Sequence, residues 1–247
     1  MPLSLSIASI SPDPREAIRL AAAVMTSLGE SRLHLDATLA GIRPRELDRS
    51  GRRDLASILK RNGVGATGMD LFLPPQHLAE AAHVDRAVAA TTSAIELISE
   101  LGLLGAIESK VLCLALPPKP IASAVEAIGA AGLERGVTVV DFSLPAAADT
   151  PMSIAPGVDC AQAIAAGQDP AVAVASNSPR AIRLCDWSGS RRVAVGKGGV
   201  DVRALVASAS IAAAGAPVVI DLRGVDGGWE IATRAAVELW HGAQAGA

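Results

Sequence analysis

Eight short apolar runs alternate with longer stretches of helical spacing along this 247-residue chain. The runs cover residues 3–10, 33–37, 66–73, 111–116, 137–142, 154–159, 181–187 and 217–223. Between and after them, helical periodicity predicts helices over 15–28, 44–62, 84–101, 121–134, 201–213 and 228–241, with two shorter pieces at 160–166 and 170–175. Strands that alternate with helices pair in parallel, because a parallel neighbour needs a crossover that a helix supplies. Eight such units in about 250 residues close into a (β/α)8 TIM barrel, so residues 1–247 are expected to be one α/β domain. Only residues 144–153 separate the fifth and sixth runs. That is too few for an ordinary crossover helix, and the helix there is expected to be shortened or missing.

Composition supports a large core and narrows the partners. Apolar residues make up 50% and charged residues 19% of the chain, while aromatics are 2% with no tyrosine. The core is therefore built from Ala, Val, Leu and Ile. A net charge of −3 argues against nucleic acid, which calls for a basic face. Residues 41–61 are locally basic and read as a solvated helix face. Three widely spaced cysteines without a CxxC pair fit neither a disulfide framework nor a zinc knuckle. With no secretory signature and no long uncharged apolar run, no membrane partner and a cytoplasmic location are expected. A homo-oligomer is left open.

The functional signal lies where the last four runs stop. They read Val137-Thr-Val-Val-Asp141-Phe142, Ile154-Ala-Pro-Gly-Val-Asp159, Ala181-Ile-Arg183-Leu-Cys-Asp186-Trp187 and Pro217-Val-Val-Ile-Asp221-Leu-Arg223. Barrel enzymes build their sites from residues at the C-terminal ends of strands, and unpaired charges there are costly to bury. Asp70 and Phe72 share parity at the end of the third run. Four of the five aromatics (Phe72, Phe142, Trp187 and Trp229) fall near strand ends, as stacking on a sugar face requires. Core packing is the competing account of Phe72 and Phe142. Lys119 and Arg223 are candidate anion contacts. Gly196-Lys-Gly-Gly199 lacks both the GxxxxGK and the GxGxxG frame and reads as a turn before a helix.

The stretch Arg183-Leu-Cys-Asp186, Gly196-Lys-Gly-Gly-Val-Asp201, Pro217-Val-Val-Ile-Asp221 resembles the xylose isomerase-like TIM barrels, a superfamily of sugar and sugar-phosphate isomerases and epimerases. The resemblance implies carbohydrate chemistry at a divalent metal, Mn, Mg or Co, held by residues of strands five to eight. It assigns those places to Asp141, Asp159, Arg183 and Asp221, with Asp141 and Asp221 as the proton-handling pair. Asp70, Phe72, Asp159, Arg183, Asp186, Trp187 and Arg223 are the expected contacts to a small hydroxylated, sugar-like substrate.

Arg183 breaks the metal pattern. A guanidinium offers no lone pair, so it stands where the family has a histidine ligand and supplies positive charge instead. Asp141, Asp159 and Asp221 are then an impaired metal set around Arg183. Two functions follow from different classes: an isomerase or epimerase moving a proton next to a carbonyl, or a catalytically inactive barrel, a pseudoenzyme, that binds a carbohydrate-like ligand or a protein partner. The endonuclease branch of the superfamily is disfavoured by four scattered histidines and the negative net charge.

Overall fold

A computed structural model describes residues 1, 3–146 and 150–246. Eight parallel strands close into a barrel: β1 (Leu3–Ser6), β2 (Arg32–Asp36), β3 (Gly65–Asp70), β4 (Ile107–Leu114), β5 (Thr138–Asp141), β6 (Ile154–Asp159), β7 (Ala181–Leu184) and β10 (Val218–Ile220), which pairs back onto β1. A separate antiparallel hairpin, β8 (Asp186–Ser188) and β9 (Arg191–Val193), stands over the barrel end between β7 and the next helix.

The helices are α1 (Pro14–Ser27), α2 (Arg49–Arg61), α3 (Val84–Leu103), α4 (Ala122–Arg135), α5 (Cys160–Ala165), α6 (Pro170–Asn177), α7 (Val202–Ala212) and α8 (Trp229–Ala245). Aspartates start many of them: Asp13, Asp48, Asp159, Asp169 and Asp201 each accept a first-turn amide at α1, α2, α5, α6 and α7. Such a cap contributes about 1 kcal/mol. Helix α3 buries Ala87, Thr91, Ala94, Ile95, Ile98 and Leu101 on one face. Each fully buried Ile or Leu there contributes about 1.5–3 kcal/mol. Among the described residues between Asp141 and Ile154 there is no helix. As a result Pro156 of β6 is exposed and a cavity of about 520 Å³ opens beside β5 and β6.

Strand parity sorts side chains into two layers. Leu5, Leu33, Leu35, Met69, Leu112, Leu114, Val139, Ile182 and Ile220 pack outward against the helices. Val111, Cys113, Val140, Phe142 and Ala181 form a small inner cluster. The interior also holds polar side chains, with Ser4, Ser6, His34 and Thr67 all buried. A bulge in β3 lies beside His34: the register of β3 shifts against β2 between Leu33 and Leu35 and against β4 between Ala66 and Gly68. Gly68 has φ +154°, and a Cβ on it would lie 2.2 Å from the Val111 carbonyl oxygen and 3.2 Å from His34 Cε1. No other residue type fits that approach.

Candidate functional site

At the C-terminal end of the barrel, Arg183 reaches across from β7 to β3. Its Nη2 donates to Asp70 Oδ1 at 2.6 Å, and both side chains are at least 95% buried, with 5% and 1% exposure. The guanidinium lies 4.0 Å from the Phe142 ring centre and 5.5 Å from that of Phe72, close enough for cation–π attraction. Burial alone would make Arg183 a stronger acid. Asp70, Cys113, Asp221 and Asp159 outweigh it and hold the charge in place.

A second group gathers above β6 and β10. Asp159, ending β6, accepts from Arg192 Nη2 at 2.7 Å, and Arg192 Nη1 lies 3.2 Å from Asp221 Oδ2. Asp221 also receives a fork from Arg223, Nε to Oδ1 at 2.9 Å and Nη2 to Oδ2 at 2.5 Å. Arg223 in turn covers Phe72 at 3.7 Å from the ring centre. Burial pushes the Asp221 carboxyl up, but Arg223, Arg192 and Arg183 together hold it well below the usual carboxylate range.

Arg192 comes from the β8–β9 hairpin, and Asp186 anchors that hairpin. The Asp186 carboxylate accepts from the amides of Trp187, Gly196, Gly198 and Val200 at 2.9–3.0 Å. The four amides of the Gly196–Gly199 stretch are therefore used internally, those of Gly196 and Gly198 on Asp186 and those of Lys197 and Gly199 on the Ala194 and Trp187 carbonyls, which leaves no cradle for an external anion. A Cβ on Gly198 would fall 2.2 Å from the Trp187 carbonyl oxygen. Trp187 is half-buried on β8, and Trp229 packs against the outer core at the start of α8.

The structure thus brings together Asp70, Phe72, Asp159, Arg183, Asp221 and Arg223, and separates Asp141 from them. Val139 packs outward while Val140 and Phe142 pack inward, so Asp141 has outward parity and Phe142 takes the inward place at the end of β5. Its carboxylate accepts from the amides of Leu116 and Ser143, each at 2.9 Å, and from Ser143 Oγ at 2.5 Å. The expected arrangement of Arg183 within Asp141, Asp159 and Asp221 gives way to another. Arg183 pairs with Asp70, and the cation between Asp159 and Asp221 is Arg192, a residue that strand-end reasoning misses. Its signal was the Gly189-Ser190 pair between two short polar-apolar alternations, which marks a two-residue hairpin.

The four positions of strands five to eight do not fit Mn, Mg or Co. Asp141 faces outward, Arg183 is a fixed cation, and Arg192 occupies the space where a metal would bridge Asp159 and Asp221. Two further inward residues were also missed. His34 lies on β2 and Cys113 on β4, and their ligand atoms and those of Asp70 all lie within 4.8 Å of one another. Asp36, at the end of β2, accepts from the Thr38 amide and hydroxyl, and burial raises its carboxyl.

A closed parallel barrel with charged residues gathered at its C-terminal rim defines the class of fold. It is the TIM-barrel fold, and solved xylose isomerase-like barrels share it. A D-tagatose 3-epimerase-like protein superimposes with a TM-score of 0.72 at 12% identity, over 99% of this chain and 97% of that one. D-Allulose 3-epimerase from Methylomonas sp., in complex with D-allulose, gives 0.66 at 14% identity, over 99% and 93%. A xylose isomerase-like TIM barrel protein from Mycobacterium smegmatis, in complex with magnesium, gives 0.69 at 10% identity, over 98% and 97%. No protein-family model matches the chain, and no curated protein matches it in sequence.

Proposed function

We propose that residues 1–247 form a divergent member of this superfamily, with a guanidinium in place of a metal between Asp159 and Asp221, whose barrel mouth binds a small hydroxylated, sugar-like molecule without turning it over. One observation carries the reading: the Arg192 guanidinium bridges Asp159 and Asp221 at 2.7 and 3.2 Å. Epimerisation next to a carbonyl asks for a base whose pKa lies near the working pH and for a cation free to stabilise the enediolate. Arg223, Arg192 and Arg183 hold Asp221 well below the usual carboxylate range, Asp141 is spent on the Leu116 and Ser143 amides and the Ser143 hydroxyl, and the nearby guanidiniums face carboxylates.

Binding chemistry persists. The 520 Å³ cavity beside β5 and β6 reaches Asp141, Phe142, Ser143, Asp159 and Gln162, and a groove of about 560 Å³ along Pro75, Gln76, Ala115, Pro117 and Lys119 shares Phe142, Ser143 and Gln162 with it. A ring face beside hydroxyl, amide and carboxylate groups suits a polyol. The negative net charge disfavours nucleic acid. Three free, buried cysteines are compatible with a cytoplasmic location. No helix among the described residues is long and apolar enough to cross a membrane.

The test is a panel of ketoses, their phosphates and polyols, scored for binding by calorimetry and for epimer formation by NMR, each with and without Mn²⁺ or Mg²⁺. The expected result is binding that is indifferent to either ion, with no epimer formed. Ion-stimulated epimerisation would overturn the reading and restore the isomerase.

A further inference from the structure

Three electron-pair donors converge in the interior below the Arg183–Asp70 pair. Register places Asp70 of β3 beside Cys113 of β4, and inward parity adds His34 of β2. All three are buried, with 0%, 1% and 1% exposure for His34, Asp70 and Cys113. His34 Nε2 and Asp70 Oδ2 have no hydrogen-bond partner among the described residues. Leaving such groups unpaired in the interior is costly.

The hydrogen bonds below them fix which proton His34 carries. Ser4 Oγ donates to the Val218 carbonyl at 3.3 Å, Thr67 Oγ1 donates to Ser4 Oγ at 3.1 Å, and His34 Nδ1 lies 3.1 Å from Thr67 Oγ1. The chain ends on a carbonyl, which only accepts. Thr67 Oγ1 also lies 3.3 Å from the Leu33 carbonyl, so its one proton goes to Ser4 or to Leu33, and His34 then donates to it through Nδ1–H. Burial lowers the His34 pKa and so favours the neutral ring. Nε2 is then a bare lone pair, 3.8 Å from Asp70 Oδ1. Two acceptors that face each other across such a gap call for a cation or a shared donor between them.

We propose that His34 Nε2, Asp70 Oδ2 and Cys113 Sγ are three ligands for a divalent cation of the zinc type, with a fourth position open. A nitrogen, an oxygen and a sulfur donor select a borderline ion over Mg²⁺ or Ca²⁺. Ligand atoms around tetrahedral zinc lie roughly 3.3–3.8 Å apart, so side-chain adjustments of about 1 Å complete the cage. Binding forms a metal–sulfur bond and releases the Cys113 thiol proton to solvent, while Arg183 keeps Asp70 Oδ1. Thr67 acts as the positioning residue that orients the imidazole, the role outer-shell partners play at metal-bound histidines. This site is independent of the Asp159–Asp221 pair, which Arg192 fills.

The experiment titrates the full-length protein with Co²⁺, then displaces it with Zn²⁺. The expected spectrum has tetrahedral d–d bands and a near-ultraviolet thiolate-to-cobalt charge-transfer band, saturating at one ion per chain with about one proton released. Cys113→Ser abolishes the charge-transfer band, whereas Cys160→Ser keeps it. Thr67→Val, close in shape and free of any ligand atom, weakens Co²⁺ binding about 10–100-fold while keeping the band. No bound ion, a bound ion with no thiolate band, or unchanged affinity in Thr67→Val overturns the proposal. A buried water bridging Nε2 and Oδ2 would produce the first of these outcomes.

Discussion

Asp221 and Asp70 are both buried carboxylates at the end of a barrel strand, yet their surroundings differ. Asp221 receives a guanidinium fork from Arg223 and a second cation from Arg192. Asp70 receives one hydrogen bond, from Arg183, and leaves Oδ2 unpartnered opposite the bare nitrogen of His34. Above β6 and β10 both carboxylates, Asp159 and Asp221, are met by guanidiniums; between β2 and β4 an acceptor oxygen and an acceptor nitrogen are left open. The same residue type at the same height in one barrel can therefore be a finished ion pair or the start of a ligand set. Donor count, more than charge, separates the two.

The largest expected effect is on the Asp70 side. Arg183→Met leaves a buried carboxylate without its cation, at a cost of about 3–5 kcal/mol and a fall in Tm of about 10 °C. The double variant Arg183→Met/Asp70→Leu should recover most of that loss in calorimetry. A single-variant cost under about 1 kcal/mol would break the comparison.

Arg192→Gln should cost less, about 1–3 kcal/mol, because Asp221 retains Arg223. It should also let Mn²⁺ bind weakly between Asp159 and Asp221, as read by isothermal titration. Arg183→His alone should give no such binding, since Arg192 still stands between the two acids. Mn²⁺ affinity in Arg183→His equal to that in Arg192→Gln would merge the two halves into one site.

Asp186→Asn keeps one carbonyl oxygen for four amides and should loosen the hairpin that carries Arg192, at about 1–2 kcal/mol. Faster hydrogen exchange at Gly196, Gly198 and Val200, with Thr67 and Asp70 unaffected, would sharpen the contrast.

The smallest effect is on pH dependence. His34 has its pKa lowered from 6.5 by burial, so the unfolded chain binds the proton more readily than the folded one. Its stabilising contribution is fully present above pH 6.5 and is lost as pH falls below that value, at no more than about 1.4 kcal/mol per pH unit. Asp221, lowered from 3.8, adds a further loss only below about pH 4 by the same sign. Urea unfolding of His34→Gln should show a flatter profile just below pH 6.5 than the parent.

Much of the barrel was legible in the sequence, because turn residues and helical spacing mark each unit, and even the absent wall between β5 and β6 follows from chain length. The site was legible in part. Asp70, Asp159, Arg183 and Asp221 announce themselves as charges at the ends of apolar runs. Asp141 misleads for a physical reason: a parallel strand buried on both faces reads Val-Val-Asp-Phe with no alternation, so nothing local says that Phe142 points inward. Arg192 lies off the barrel strands altogether. His34 and Cys113 look like ordinary members of buried strands until the β3 bulge and the Thr67–Ser4 relay bring unpartnered atoms together.

The most direct test of the central claim is anomalous diffraction at the manganese edge from crystals soaked in Mn²⁺. Guanidinium density between Asp159 and Asp221, with no anomalous peak there, is the predicted result. A manganese peak at ordinary ligand distance from both carboxylates, with Arg192 displaced, would contradict it.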